Sequence, residues 1–329
     1  MTTFLPEDAC DALDRLLADA LTARAIPETV QRFAAALADR CGTRAKAVLY
    51  YGSCLRTGVL EDRILDFHVL VDRYRDAYPG RPCLAAANAL LPPNVFFATS
   101  ADARDDSGAP LKAKYNIVSL PQLSRLVAPD TRQVWFWARF AQPMALAFQA
   151  EETLTATIAR LQRQALLTFL GAALPIAPEG ADAKSVFALG FARTYACELR
   201  AEPPDKGREL YALDAAFYDR LFAPALAALG WPAIADSEAA GGMRILAADP
   251  DRAAAEERRW RQRRLLGKTL SICRLAKSAF TFSGGADYIA WKIRRHAGVE
   301  VTLTDFDRRH PLIAGIRHYW RLKRKGAFR

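Results

Sequence analysis

Residues 48–72, VLYYGSCLRTGVLEDRILDFHVLVD, constrain this chain more than any other stretch. The apolar run 48–51 stops at Gly52-Ser53, a polar connection follows, and a second strand-like run carries Asp66 in its first half. A strand, a small-residue turn and a returning strand with a carboxylate near its start bring that carboxylate back toward the turn. The residue types suit phosphate chemistry. Glycine lets backbone N–H groups approach a polyphosphate closely, and a serine hydroxyl adds one more donor. An aspartate there suits a divalent cation that bridges phosphate oxygens. The same residues also fit a tight turn and a capping aspartate, and taken alone the stretch leaves both readings open.

The period of two along a strand puts Asp66, His68 and Leu70 on one face and Phe67, Val69 and Val71 on the other. His68 therefore stands where a second metal-holding acid would stand in a D-x-D pair. It reads either as a metal ligand or phosphate contact beside Asp66, or as a histidine packed in place.

With 329 residues, 51% of them hydrophobic and 10% aromatic, the chain is long enough for two domains with substantial cores. The longest apolar run, 165–177, is too short to span a bilayer and holds a proline. Acids at Glu7, Asp8, Asp11, Asp14 and Asp19 are unlike a secretory or organelle leader, so a cytoplasmic location is expected. Six cysteines without a C-x-x-C pair suggest free thiols rather than zinc or a disulfide framework. Charge is concentrated at one end. Residues 251–329 hold 20 Lys and Arg against 7 Asp and Glu, while the whole chain carries only +10. That segment favours a phosphate-rich partner, either nucleic acid or an anionic membrane.

Apolar spacing predicts helices over 7–24 and 28–41, then strands at 48–51, through Asp66, at 95–98 and at 114–119, with helical stretches at 73–93 and 121–144. Alternating strands and helices imply an α/β (α+β) fold: a mixed sheet with helices over 1–150. Residues 151–245 read as mostly helical, with helices at 151–174, 184–200 and 206–229. Residues 246–329 read as a basic helical extension, with helices at 252–277, 286–296 and 311–325.

Several of these segments, taken in order, resemble the mitochondrial-type phosphatidate cytidylyltransferases, the translocator-maintenance family of CDP-diacylglycerol synthases. YGSCLR with ILDFHVLVD looks like that family's YGSG and [ML]-[DI]-D-[FL] stretches, KYNIVS like its KYGVVS strand, and WARFAQPM like its AGRLQKPV segment. The turn EPPDK at 202–206 and the run KSAFTFSGG are similar to its acidic-proline turn and its KGxFTAG run. The chain departs from the pattern at Asn116, which replaces a glycine, and at His68, where the family is usually apolar. TYACELR also lacks the family's second-domain Asp and Arg. The absent presequence suggests a bacterial relative.

The resemblance implies a nucleotidyltransferase domain over 1–150, a winged-helix-like domain over 151–245 and a membrane-contacting segment over 246–329. It implies an enzyme that joins CTP to phosphatidic acid with Mg²⁺, giving CDP-diacylglycerol and pyrophosphate. Such a protein would sit on the inner face of the cytoplasmic membrane, with no nucleic acid expected. Gly52, Ser53, Asp66, Lys114 and Arg139 carry over by motif position: Gly52 and Ser53 to the phosphates, Asp66 to the metal, Lys114 and Arg139 to triphosphate charge. Lys114 reads equally as a solvated strand-end lysine, and Arg139, set among Trp135, Phe136, Trp137 and Phe140, as a stacked structural arginine. Asp72, Asp102, Asp105 and Asp106 are the candidates for a second carboxylate. Two other readings stay open: a nucleotidyltransferase acting on another acceptor, such as an RNA end or a small molecule, and a non-catalytic, membrane-docked scaffold.

Overall fold

The computed structural model describes residues 6–41, 45–199 and 205–281, together with Thr304 and Phe306. The expected helices at 286–296 and 311–325 and the turn residues 202–204 lie outside the described residues. Two amphipathic helices open the chain, α1 (Pro6–Ala23) and α2 (Glu28–Asp39). Leu13, Leu17 and Leu21 of α1 are buried, as are Val30, Phe33, Ala34 and Leu37 of α2, the three-and-four spacing that a 3.6-residue period requires.

The sheet follows: β1 (Ala45–Tyr51), a short helix α3 (Ser53–Thr57), β2 (Ile64–Val71), helices α4 (Tyr74–Ala77) and α5 (Pro82–Leu90), β3 (Asn94–Arg104) and β4 (Pro110–Ser119). After α6 (Leu120–Leu126) and α7 (Val134–Phe140), β5 (Met144–Gln149) completes it. The order is β3-β4-β2-β1-β5. Only β2 and β4 pair in parallel; the other neighbours are antiparallel. The fold is thus mixed α/β, as the alternation of elements implied.

Both faces of the sheet are covered, and side-chain alternation divides two cores between them. Leu65, Phe67 and Val69 of β2 pack with Val48, Tyr50, Ala113, Tyr115 and Ile117 against α2. The alternate residues Ala47, Leu49, Leu70 and Val118 belong to a larger core shared with α1 and α7. That second core continues through α8 (Leu154–Ala173), α9 (Ala183–Ala196), α10 (Lys206–Leu213) and α11 (Ala215–Ala228). A two-stranded ribbon, β6 (Ala233–Ala235) with β7 (Met243–Ile245), follows, and then α12 (Pro250–Thr281).

Several elements differ from the sequence expectation, and the helical stretches expected over 73–93 and 121–144 are each broken, into α4 with α5 and into α6 with α7. β5 was not anticipated because MALAFQ has no β-branched residue and reads as a helix former; its pairing with β1 decides its state. The loop expected after Ala98 is largely strand. Its turn is closed by Asp105, whose carboxylate accepts from the Ser107 and Ala109 N–H groups at 3.1 and 2.9 Å. The single helix expected over 206–229 breaks at Asp214, whose φ of −140° is not helical.

α12 uses part of its basic charge internally. Arg263 pairs with buried Glu256 and lies over the Trp260 ring at 5.0 Å. Arg274 donates to the Pro92 carbonyl at 2.8 Å and Lys277 to Pro93 at 2.9 Å, fastening the helix to the loop that enters β3. Burial lowers the Lys277 pKa to about 8, with Arg274 adding to the effect. Trp260 anchors the middle of the helix. It is 3% exposed, meets Trp137 edge-on at 6.1 Å, and donates to the Ala172 carbonyl at 2.9 Å. Trp260→Ala should therefore cost about 3–5 kcal/mol, read from urea unfolding, because it opens a cavity and orphans a buried carbonyl.

Candidate functional site

Where β1 ends, the chain must turn away under the start of β2. Gly52 makes that turn with φ of +88°, and a Cβ placed there would lie 2.8 Å from Asp66 Oδ2. Both facts require glycine: the backbone region disfavours a side chain, and the carboxylate occupies its space. Ser53 follows as the exposed first residue of α3.

The parallel register sets Asp66 directly beside Lys114, and Asp66 Oδ1 and Lys114 Nζ are 3.0 Å apart. Both side chains are partly open, 22% and 32% exposed. They line a cleft of about 390 Å³ with Gly52, Ser53 and Arg139. Five of the six residues singled out in the sequence therefore meet at one place.

His68 does not line it. Its ring is buried between Tyr51, parallel at 4.0 Å, and Phe140 at 4.9 Å. Nδ1–H donates to Asn116 Oδ1 at 2.8 Å, while Nε2 has no hydrogen-bond partner. Burial pushes the imidazole down to about 3, with the Asn116 hydrogen bond opposing. The ring is thus neutral at ordinary pH and packed in place, with Asn116 filling its polar need.

Arg139 is held rather than free. Its guanidinium donates to both oxygens of Glu198, at 2.7 and 3.1 Å, and to the Trp135 carbonyl, and it lies 4.1 Å over the Trp135 ring. Burial opposes its charge, but Glu198 more than compensates and keeps the pKa above the ordinary arginine value. The fork joins α7 to the end of α9.

Sequence reasoning did not single out Arg56, Gln142, Glu198, Lys206 or Glu209, all of which line the cleft. Arg56 Nε donates to buried Asp214 at 2.9 Å and its Nη2 to Gln142 at 2.5 Å; Arg24 pairs with the other oxygen of Asp214. Lys206 bonds both oxygens of Glu209, one turn on, at 3.1 and 3.0 Å. The signal was present: Arg56, Gln142, Glu198 and Lys206 fall inside YGSCLR, WARFAQPM, TYACELR and EPPDK. What those segments did not reveal was which of their residues face inward together.

Asp72, Asp102, Asp105 and Asp106 do not line the cleft. Asp72 pairs with Lys46 at 3.4 Å, and Asp105 closes the β3–β4 turn. Among the described residues, the carboxylates that do line it are Asp66, Glu198 and Glu209. Among the described residues, no group of three His, Cys, Asp or Glu side chains is arranged to hold a metal, and no helix is long and apolar enough to cross a membrane. No protein-family model matches the chain, and a search of curated proteins finds no significant relative.

His68 gives the protein an acid sensitivity of known sign. The unfolded imidazole takes up a proton near pH 6.5, whereas the buried one resists it down to about 3. Stability is thus fully present above pH 6.5 and falls by about 1.4 kcal/mol per unit below it from this residue alone. Urea melts between pH 7.5 and 4 should show His68→Gln with a shallower acid slope than wild type, by close to one proton.

Proposed function

We propose that this chain is a nucleotidyltransferase that joins CTP to phosphatidic acid, releasing pyrophosphate and forming CDP-diacylglycerol. One observation carries the reading. Segments as far apart as YGSCLR, the Asp66 strand, KYNIVS, WARFAQPM and EPPDK, which bear the family resemblance, each place residues on one cleft. Segments alike only by chance composition would have no reason to converge.

Magnesium fits the site through a single protein carboxylate. Asp66 offers hard oxygens, and its Oδ2 faces the bare backbone of Gly52 rather than a side chain. Mg²⁺ commonly takes one or two protein carboxylates and completes its shell with water and substrate phosphates. Bound there, the ion would supply charge that offsets what develops on the departing pyrophosphate. His68 has no part in this set.

The chain's own residues then position and neutralise. The Gly52-Ser53 turn donates to the phosphates, and Lys114 exchanges its contact with Asp66 for the triphosphate. Arg56 and Arg139, fixed by Asp214 and Glu198, set the positive potential of the far wall. An oxygen of the ionised lipid phosphate attacks the CTP α-phosphorus. The bond from that phosphorus to the bridging oxygen breaks, and pyrophosphate leaves with the electron pair. The attacking group is already deprotonated, so no general base is needed, and catalysis is mostly orientation and charge stabilisation. The exposed Arg258, Arg259, Arg261 and Arg264 of α12 suit the anionic membrane in which that lipid resides.

The test is pyrophosphate release with Mg²⁺, vesicles containing phosphatidic acid, and each nucleoside triphosphate in turn. Release should require both CTP and phosphatidic acid, and Asp66→Asn should lower it at least ~100-fold with an unchanged melting temperature. Release without the lipid would redirect the reading to another acceptor. Silence with every nucleotide, from folded and vesicle-bound protein, would support the scaffold reading.

A further inference from the structure

A second concavity of about 340 Å³ lies on the other side of the sheet from the cleft. Period-two alternation separates the two: Lys114 points into the cleft, and its neighbour Tyr115 lines this pocket. The wall is aromatic. Phe96 and Tyr115 stack at 5.4 Å and 29°, and Tyr78 meets Phe96 at 6.1 Å. Tyr78 is held in turn, its hydroxyl accepting from Asn88 at 2.9 Å. Among the described residues, the charged ones lining the pocket are Arg40, from the end of α2, and Arg81, before α5. Neither has a carboxylate partner among the described residues, whereas each described charged side chain that lines the cleft is paired. The nearest acid along α4, Asp76, lies against Arg75.

The volume is that of a small-molecule site, and the lining has the usual form of one, an apolar wall with a few convergent polar groups. Two guanidiniums without an ion-pair partner among the described residues suit an oxyanion, which arginine binds in a fork. The stacked rings suit a flat group attached to that oxyanion. The pocket has no residue for chemistry. Among the described residues it has no carboxylate, histidine, serine or threonine, and its one thiol, Cys41, is buried, with its pKa pushed up to about 11 by that burial.

We propose that this pocket is a binding site, separate from the cleft, for a small phosphorylated molecule carrying a flat ring. Arg40 and Arg81 would take the phosphate, and Phe96, Tyr78 and Tyr115 would form the wall against the ring. This goes beyond the proposed reaction and does not depend on it.

Calorimetric titration with phenyl phosphate, and separately with inorganic phosphate, tests it on the full chain. Phenyl phosphate should bind saturably to wild type and to the cleft variant Lys114→Ala with affinities within about twofold. It should bind at least ~10-fold more weakly to Arg40→Ala/Arg81→Ala, the loss of charge-assisted contacts to one anion. Arg81→Ala alone gives the same direction should the Arg40 change disturb the end of α2. Inorganic phosphate should bind more weakly than phenyl phosphate. No saturable binding at millimolar ligand would overturn the proposal. So would binding that Lys114→Ala removes and the arginine variants keep, and so would equal affinity for the two phosphates.

Discussion

The parallel pairing of β2 with β4 is the constraint on which the rest depends. It sets Asp66 beside Lys114, Phe67 beside Tyr115 and His68 beside Asn116. Because helices cover both faces, this register admits no slip: a shift of one residue would drive Asp66 and Lys114 into the α2 core and turn Phe67 toward the cleft. The polar pair is tolerated only because it lies at the end of the sheet, where Gly52 carries the chain away and no side chain closes the gap. Two residues further along the same strands and on the same face, His68 and Asn116 satisfy each other, and beyond them Leu70 and Val118 are fully apolar. Polarity thus falls off along the strands from the cleft into the core.

The opposite wall is built differently. It comes from helices far apart in sequence, and charge holds it together. Buried Asp214 joins Arg24 at the end of α1 to Arg56 in α3, and Glu198 joins the end of α9 to α7 through Arg139. Removing one partner of such a pair would leave the other charged and poorly solvated, so each pair strongly fixes its geometry even though its net contribution to stability is modest. The break between α10 and α11 has the same origin, since Asp214 sits at the break where both arginines reach it.

Much of this was legible from local pattern. The helix spacings of α1 and α2, the strand alternation of β2 and the glycine turn all follow from rules that act over a few residues, and they pointed to Gly52, Ser53 and Asp66, whereas Lys114 and Arg139 came from the family resemblance. What stayed hidden depends on distant partners. β5 is a strand because β1 offers it an edge, and the partners of Arg56 and Arg139 lie 158 and 59 residues away. His68 shows the limit most clearly. Alternation placed it correctly on the face of Asp66, but no local rule says that Tyr51, Phe140 and Asn116 enclose it.

The charges of the cleft are not equivalent, and their exposures indicate where a ligand can act. The pairs of Arg56 with Asp214 and of Arg139 with Glu198 are nearly closed to solvent, with side-chain exposures of 7% and 2% and of 12% and 14%. Opening either would strand a charge in a poor solvent, at a cost of several kcal/mol. The Asp66–Lys114 pair is 22% and 32% exposed, so water screens it and separating it costs on the order of 1 kcal/mol or less. An incoming polyanion can therefore draw Lys114 away and free both oxygens of Asp66, while the buried arginines keep their acids and act only through their field. A polyanion that bound here would rearrange the sheet side of the cleft and leave the helical side as the fixed frame.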